Sequence, residues 1–158
     1  MTQTPQFGEP DPGRAYRDRP AAFGLCEKDG LIAVVRVEKP GHPAWLDLPG
    51  GALDPGEDDA RTTAREFGEE TGLRVEAAQP FARADQFFVN TDGEAFNNRG
   101  GFLVVRLVGE APELKVEEDH ALAWAAPEEA VARLRHDAHA WAVAAWLRRV
   151  VAQGLGNR

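Results

Sequence analysis

The sequence has few sulfur-containing residues and no long hydrophobic segment. Its 158 residues include one cysteine, Cys26, and one methionine, so no disulfide can form within the chain. The absence of disulfides is typical of a reducing compartment, and we expect the protein to act in the cytoplasm. The first twenty residues lack the apolar core of a signal peptide. No apolar run approaches the roughly 20 residues of a membrane-spanning helix.

Positive charge is also scarce. Lysine and arginine number 18 against 26 aspartates and glutamates, which gives a formal net charge of −8 at pH 7. This excess of negative charge disfavours general binding to nucleic acids or anionic membranes. An anionic small molecule stays compatible if local cations neutralise it. We therefore expect a small-molecule nucleotide as partner and no membrane, nucleic acid is disfavoured, and the sequence leaves a homodimer open.

Composition divides the chain into an arm and a single domain. Residues 1–19 are rich in proline, glycine and charge, and we expect a flexible or loosely docked arm. Residues 20–158 show no internal repeat and no second break in composition. A chain of this length is enough for one domain with a sizeable core.

The hydrophobic pattern predicts strands, a helix, more strands, and helices at the end. Turn residues bound the β-prone segments, and proline or glycine marks helix ends. Strands are expected at residues 21–27, 31–38, 73–89, 101–109 and 120–126, and helices at 57–71, 127–134 and 137–154. The first two strands should form a hairpin. The strand at 73–89, interrupted near Pro80, should pair with 101–109 in a second, long hairpin. This order favours a mixed sheet packed between helices. The polar segment 90–98 is interpreted as a loop that borders the functional site.

The first predicted helix carries three glutamates on one face. Glu66, Glu69 and Glu70 are spaced i, i+3 and i+4 and therefore share a face, whereas Ala64 and Phe67 fall on the side that packs against the core. A glutamate triplet by itself is more often a solvated acidic face. Carboxylates this close raise one another's pKa, and a hard divalent cation such as Mg²⁺ would offset their repulsion.

The segment before this helix, PGGALDPG, gives the glutamate face its context. Glycines let a ligand approach the backbone closely, and the start of a helix favours anions. The glycine loop, the helix start and the carboxylate face together predict a site for a metal-bound di- or triphosphate.

The stretch from Gly51 to Leu73 resembles the signature of the Nudix hydrolases, G-x5-E-x7-R-E-U-x-E-E-x-G-U, in which U is a bulky apolar residue. Its positions are filled by Gly51, Glu57, Arg65, Glu66, Phe67, Glu69, Glu70, Gly72 and Leu73. The resemblance implies an α/β fold, the Nudix-type α/β/α sandwich around a mixed β-sheet. It also implies hydrolysis of a phosphoanhydride in a nucleoside diphosphate linked to another group, with Mg²⁺ or Mn²⁺ as cofactor.

The substrate is left open by this resemblance. Candidates are deoxynucleoside triphosphates, their oxidised forms, ADP-ribose and dinucleoside polyphosphates. Hydrolysis at the end of an RNA is a further candidate, which the net charge and the lack of a basic tract disfavour. The alternative is a non-hydrolytic nucleotide sensor on the same fold, which would have no need for a complete metal-binding face.

The resemblance also assigns roles to residues of the signature. It implies that Glu66, Glu69 and Glu70 are metal ligands and that the carbonyl of Gly50 is a further ligand. Glu57 would hydrogen-bond to the loop or to a metal-bound water.

A carboxylate outside the helix is expected to complete the site. Glu118 lies in a polar turn before the strand that ends near Trp124, and the resemblance supports a functional glutamate there. Glu117 is the rival, because adjacent residues of an extended segment point in opposite directions. Glu69, Glu70 and Glu118 are the candidates for the base that accepts a proton from the attacking water.

Four arginines are assigned roles. Arg65 is expected to orient the glutamates, as the resemblance implies. Arg36, Arg83 and Arg99 lie on or beside predicted strands and are predicted to contact the substrate.

The remaining candidates are aromatic. Phe88 and two other strand phenylalanines could stack on a base, although such side chains usually belong to the core. The histidines show no spacing typical of metal ligands, so we interpret His120, His136 and His139 as surface or capping residues.

Overall fold

The computed structural model describes residues 3–156, with side chains for residues 3–154. Its strands are β1 (Gln6–Phe7), β2 (Arg17–Lys28), β3 (Leu31–Val37), β4 (Trp45–Asp47), β5 (Gly50–Ala52), β6 (Leu73–Val89), β7 (Ala95–Glu110) and β8 (His120–Ala125). Its helices are α1 (Asp59–Thr71), α2 (Pro127–Arg133) and α3 (Asp137–Gly156), and a 3₁₀ turn covers Pro112–Leu114. Residues 1–2 and 157–158, at the ends of the predicted arm and domain, lie outside this range. Within it, no helix combines the length and the apolarity that a membrane crossing requires.

The strands form a mixed sheet in which β2 is central. β2 runs parallel to β7 from Arg17 to Cys26 and antiparallel to β5. The hairpin predicted between β2 and β3 forms only at its turn, where Glu27 and Lys28 pair with β3. β3 then diverges to pair with β4 and β8. The second predicted hairpin is long, with β6 antiparallel to β7 and register shifts on both sides of Pro80.

The two faces of β2 pack against different helices, as the alternation of side chains along a strand requires. Phe23 belongs to a core cluster that includes Ala130 of α2 and Trp146 of α3. Cys26 belongs to a second cluster around Phe67 of α1. The sheet therefore lies between α1 on one side and α2 with α3 on the other, which confirms the predicted α/β/α sandwich.

Helix α1 begins and ends close to its predicted limits. Asp58 caps it by accepting a hydrogen bond from the N–H of Arg61 at 2.9 Å, a common N-cap arrangement. Gly72 ends it in the left-handed conformation, with φ of 72°. Phe67 is fully buried, so the packing of this side chain fixes the rotation of the helix.

The N-terminal segment is more closely tied to the sheet than its composition indicates. β1 runs parallel to β6, and the Gln6 amide exchanges two hydrogen bonds with the Asn97 amide, at 2.9 and 3.1 Å. β2 begins at Arg17, so the last three residues of the predicted arm are part of the sheet. The division of the chain at residue 19 stays a prediction.

The polar loop between β6 and β7 is shorter than the sequence indicates. Asn97 and Asn98 lie in β7 and are buried, at 3% and 4% exposure. Their amides are satisfied by side chains distant in sequence, since Asn98 accepts a hydrogen bond from Arg19 at 2.8 Å. Composition alone therefore favours a loop where the structure has a strand.

Candidate active site

Arg65 lies at the centre of a hydrogen-bonded group on α1. Its guanidinium binds both carboxylate oxygens of Glu57, at 2.8 and 2.9 Å. It also contacts Glu66 and Glu69, each at 3.1 Å, and donates to the carbonyl of Ala52 at 3.3 Å. The hydrogen bonds that Arg65 donates to Glu57 raise the pKa of Arg65. One arginine thus joins the loop after β5 to the carboxylate face, which is the geometry that an orienting residue needs.

Glu57 is fully occupied by protein donors. Besides Arg65, its Oε1 accepts hydrogen bonds from the N–H of Asp54 and the hydroxyl of Thr62, both at 2.9 Å. The hydrogen bonds from Arg65 lower the pKa of Glu57 to about 2. The structure places this carboxylate as an anchor for the loop before α1, and its contact with a metal or a metal-bound water stays a prediction.

Two glycines let the backbone of β5 reach the carboxylates. The N–H of Gly50 donates to Oε1 of Glu70 at 2.8 Å. At Gly51 a Cβ atom would lie 2.9 Å from Oε1 of Glu66, so a side chain there would displace that carboxylate. Gly50 has φ of 150°, and a Cβ on it would lie 2.2 Å from the carbonyl of Ala22. The sequence analysis predicts the carbonyl of Gly50, not its N–H, as a metal ligand, and that role stays a prediction.

The carboxylates of this face are partly or largely withdrawn from solvent. The side chains of Glu66 and Glu70 are 15% and 7% exposed, and that of Glu69 is 32% exposed. Burial raises the pKa of Glu66 to about 7, with a further rise from the charge of Glu70. Burial also raises the pKa of Glu70, although His120 and the N–H of Gly50 oppose it. A divalent cation would stabilise these carboxylates as anions, so the residues fit one.

The loop before β8 brings further candidate ligands to the same place. Two of its backbone N–H groups, including that of Glu117, donate to the carbonyl of Glu69 at 3.0 Å. Ligand atoms of Glu117, Asp119 and His120 lie within 4.8 Å of one another. Nε2 of His120 lies 3.0 Å from Oε2 of Glu70. This acidic group, able to hold a metal ion, therefore adjoins the signature face.

His120 is the residue that the sequence interpretation missed. Contrary to the expected surface role, its ring bridges Glu70 and Asp119, with Nδ1 at 2.7 Å from the Asp119 carboxylate. The hydrogen bond with Glu70 is the main cause that raises the pKa of His120 to about 9. Only the pairing of β8 with β3 brings this histidine to α1, and no local motif marks it.

Glu118 and Glu117 differ in burial and in their neighbours. Glu118 is exposed and is not part of the group that could hold a metal, whereas Glu117 is half-buried and belongs to it. The geometry favours Glu117, the rival of the sequence analysis, and a role for Glu118 stays a prediction.

We expect Glu117→Gln to lower kcat at least about tenfold at saturating Mg²⁺, because it removes a carboxylate from the group that it forms with Asp119 and His120, the histidine that contacts Glu70. Glu118→Gln, the same chemical change one residue away, is the matched control and should stay near wild type. Steady-state kinetics on any hydrolysed substrate measures both. Equal, small effects would return the base to α1, and a large effect from Glu118→Gln alone would restore the residue chosen from the sequence.

The three arginines expected to bind substrate each form an ion pair outside the signature glutamates. Arg36 pairs with Glu38, Arg83 with Asp59, and Arg99 with both Asp85 and Asp18. These arginine side chains are about half exposed, at 51%, 57% and 49%. The structure does not bring them into the carboxylate group, and their contact with a substrate stays a prediction.

Two histidines expected at the surface are instead buried behind the glycine loop. His136 is 7% exposed and His139 is 2% exposed. Nδ1 of His139 accepts a hydrogen bond from the N–H of Leu48 at 3.2 Å, and its ring lies 4.4 Å from that of Phe23. Burial lowers the pKa of His139 to about 4 and that of His136 to about 2. Neutral His139 thus supports the chain just before β5.

The buried His139 should make stability fall in acid. Its folded pKa lies below the unfolded value of about 6.5, so its contribution is constant above pH 6.5 and is lost as the pH falls towards 4. His139→Asn keeps an acceptor for Leu48 but does not titrate. Between pH 7.5 and 5, we expect the difference in unfolding free energy between wild type and His139→Asn to shrink by about 2 kcal/mol. Urea unfolding at both pH values measures it, and a constant difference would contradict the prediction.

Comparison with known proteins agrees with this geometry. The family model of the NUDIX domain matches residues 15–147. An RNA pyrophosphohydrolase of Cereibacter sphaeroides is 30% identical over 140 residues, covering 78% of this chain and 85% of the relative. The candidate mutator protein MutT4 of Mycobacterium tuberculosis is 32% identical over 114 residues, or 69% of this chain. The chain spans 44% of the length of that mycobacterial relative.

A solved structure shows the same fold. A NUDIX hydrolase from Nitrosomonas europaea superimposes with a TM-score of 0.69 at 19% identity, covering 84% of this chain and 90% of the other. The chain therefore belongs to the Nudix hydrolase family, an enzyme family, as the signature predicts.

Proposed function

We propose that this enzyme hydrolyses a phosphoanhydride bond in a nucleoside diphosphate linked to another group, with Mg²⁺ or Mn²⁺ as cofactor. The convergence of Glu66, Glu69 and Glu70 with the β5 backbone and with Glu117 carries this proposal. The donors are carboxylate oxygens, the ligands that Mg²⁺ and Mn²⁺ favour. The complete signature favours hydrolysis over a purely nucleotide-sensing role. A cytoplasmic location and a homodimer stay predictions.

Hydrolysis would add one water molecule across one P–O–P bridge. The water oxygen bonds to one phosphorus atom, the bridging bond breaks towards the other phosphate, and a carboxylate accepts the proton from the water. A bound divalent metal would neutralise phosphate charge and lower the pKa of that water. The metal would be held by Glu66, Glu69 and Glu70, and Arg65 would orient these carboxylates. The proton of the water would be accepted by Glu117 or Glu70.

The substrate needs a direct test, because the net charge and the similarity to a known protein favour different substrates. Net charge favours a small nucleotide, whereas the Cereibacter sphaeroides relative carries the name of an enzyme acting on RNA. A panel with Mg²⁺ should contain deoxynucleoside triphosphates, oxidised forms, ADP-ribose, dinucleoside polyphosphates and a 5′-triphosphorylated RNA. Mass spectrometry of the products identifies the bond that breaks. No metal-dependent turnover across the panel would refute the proposal.

A further inference from the structure

Three arginines and three aromatic rings alternate along one side of the molecule. In order they are Trp45, Arg135, Phe88, Arg19, Phe96 and Arg17, which we call the arginine–aromatic row. Successive guanidinium carbons and ring centroids are 4.4, 5.9, 5.3, 4.8 and 5.1 Å apart. Each separation is within the range of a cation–π contact. The row joins five separate parts of the chain, so tertiary packing alone assembles it.

One end of the row is fixed by Asp47. Its carboxylate accepts hydrogen bonds from Arg135 at 3.2 and 2.9 Å and from the indole N–H of Trp45 at 3.0 Å. The indole and the guanidinium are thereby held together as a partly exposed platform, with the Arg135 side chain 28% exposed. Such a platform needs little ordering before a flat ligand can stack on it.

Arg19, in the middle of the row, has a different environment. Within residues 3–154 its hydrogen bond goes to the neutral amide of Asn98, and no carboxylate lies within ion-pairing distance. The neighbouring His136 is buried, and burial lowers its pKa to about 2, so it carries no charge to repel an anion. A half-buried guanidinium without a carboxylate partner is suited to an anionic ligand.

Arg19 also lies beside the carboxylate site. It immediately precedes Pro20, whose carbonyl accepts a hydrogen bond from the N–H of Leu53 at 3.0 Å, next to β5. Two positions further along the same strand pair, Ala22 pairs with Gly51, the glycine that lies against Glu66. The middle of the row therefore lies near the proposed metal-binding face.

A cleft opens at the far end of the row. Trp45 and Arg135 line it together with the turn between β6 and β7, including Asn90 and Thr91, and its volume is about 330 Å³. That volume lies within the range of small-ligand sites. Flat bases stack on tryptophan rings and on arginine guanidinium planes.

We infer that the row is the nucleotide-binding subsite of this enzyme, in which Arg19 binds the phosphate chain and the Trp45–Arg135 platform stacks on the base. The ligand class is a nucleoside 5′-di- or triphosphate unit, either free or at the 5′ end of an RNA. The inference rests on the proposed function for the placement of the phosphates at the carboxylate face. It also supplies the local cations that a chain of net charge −8 needs in order to bind an anion.

Calorimetry with unreactive ligands in Mg²⁺ tests binding separately from hydrolysis. The probes are guanosine and adenosine triphosphates with methylene bridges in place of the bridging oxygens, a tetraribonucleotide with the same 5′ group, and methylenediphosphonate, which has no base. Arg19→Gln should weaken the binding of nucleotide and diphosphonate about tenfold, and Arg19→Lys should recover part of the loss. Trp45→Leu should weaken only the base-containing probes, by at least about fivefold.

The control is Arg149→Gln, which removes a similar cation–π contact, with Phe81 at 5.5 Å, on the distant helix α3. It should bind all probes as wild type does. Comparing the mononucleotides with the tetraribonucleotide shows whether the platform serves a free nucleotide or an RNA end.

The outcomes separate the two proposals. Wild-type affinities in both the Arg19→Gln and Trp45→Leu variants would overturn the subsite, even if hydrolysis is observed. If Trp45→Leu weakens the binding of the diphosphonate as much as that of the base-containing probes, Trp45 has a structural role. That result would overturn the assignment of the platform to the base. If no compound is hydrolysed but binding depends on both residues as expected, the proposed function fails and the subsite stands.

Discussion

Glu70→Gln should lower kcat at least about 10²-fold while the protein stays folded. The amide keeps the shape of the side chain but removes an anionic ligand or base from the centre of the site. Burial disfavours ionised Glu70, whereas its contacts with His120 and with the N–H of Gly50 favour it. Because these effects oppose each other and the amide keeps an acceptor for Gly50, we expect Tm to change little. Steady-state kinetics and thermal unfolding measure these two consequences. Calorimetric titration with Mn²⁺ should show a weaker affinity for the metal, because an anionic ligand is removed.

A matched control for this variant is Glu76→Gln on β6, where the carboxylate is 64% exposed and pairs with Arg106. It should retain wild-type turnover and metal affinity. Near wild-type turnover in folded Glu70→Gln would remove Glu70 from the proposed machinery.

Arg65→Lys should be the second most damaging change, with kcat reduced roughly 10²-fold. A lysine ammonium cannot hold Glu57 through two parallel hydrogen bonds and also reach Glu66 and Glu69. The carboxylates would then lose their common support, and displacements of about 1 Å at a reacting centre can lower rates by this amount. The effect on the fold should be smaller than the effect on kcat. The free energy of unfolding should fall by about 1–2 kcal/mol, because the lysine keeps the positive charge.

Arg61→Lys, on an exposed position of the same helix, is the control and should change neither property. Kinetics corrected for the folded fraction, together with urea unfolding, distinguishes an orienting role of Arg65 from a purely structural one. A collapse of Tm with unchanged activity per folded molecule would make Arg65 a structural residue and refute its orienting role.

Features that depend on local sequence were predictable. The limits of α1 follow from Asp58 and Gly72, and the glutamate face follows from the periodicity of a helix. The order of strands and helices favours layers, and the signature specifies the sandwich. The long β6–β7 hairpin was also predictable, including its irregularity at Pro80, because apolar segments connected by a polar turn identify it.

Buried polar residues were not predictable in the same way. Asn97, His136 and His139 look like loop or surface residues in the sequence, yet each lies in the interior. Their burial is tolerable because partners distant in the chain satisfy them, as Gln6 does for Asn97 and the N–H of Leu48 does for His139. A single sequence carries no local signal for such partners.

By itself, therefore, the sequence determined the family, the carboxylate face of α1 and the layered fold, since these depend on spacing along one helix or strand. Only the tertiary structure decided which loop side chains join that face. The pairing of β8 with β3 brings His120 to Glu70 and favours Glu117 over Glu118, because one step of register along an extended segment reverses the direction of a side chain. The arginine–aromatic row is likewise tertiary, because it unites residues from four strands with Arg135 of the segment between α2 and α3, and their contacts arise only when that segment packs against the sheet.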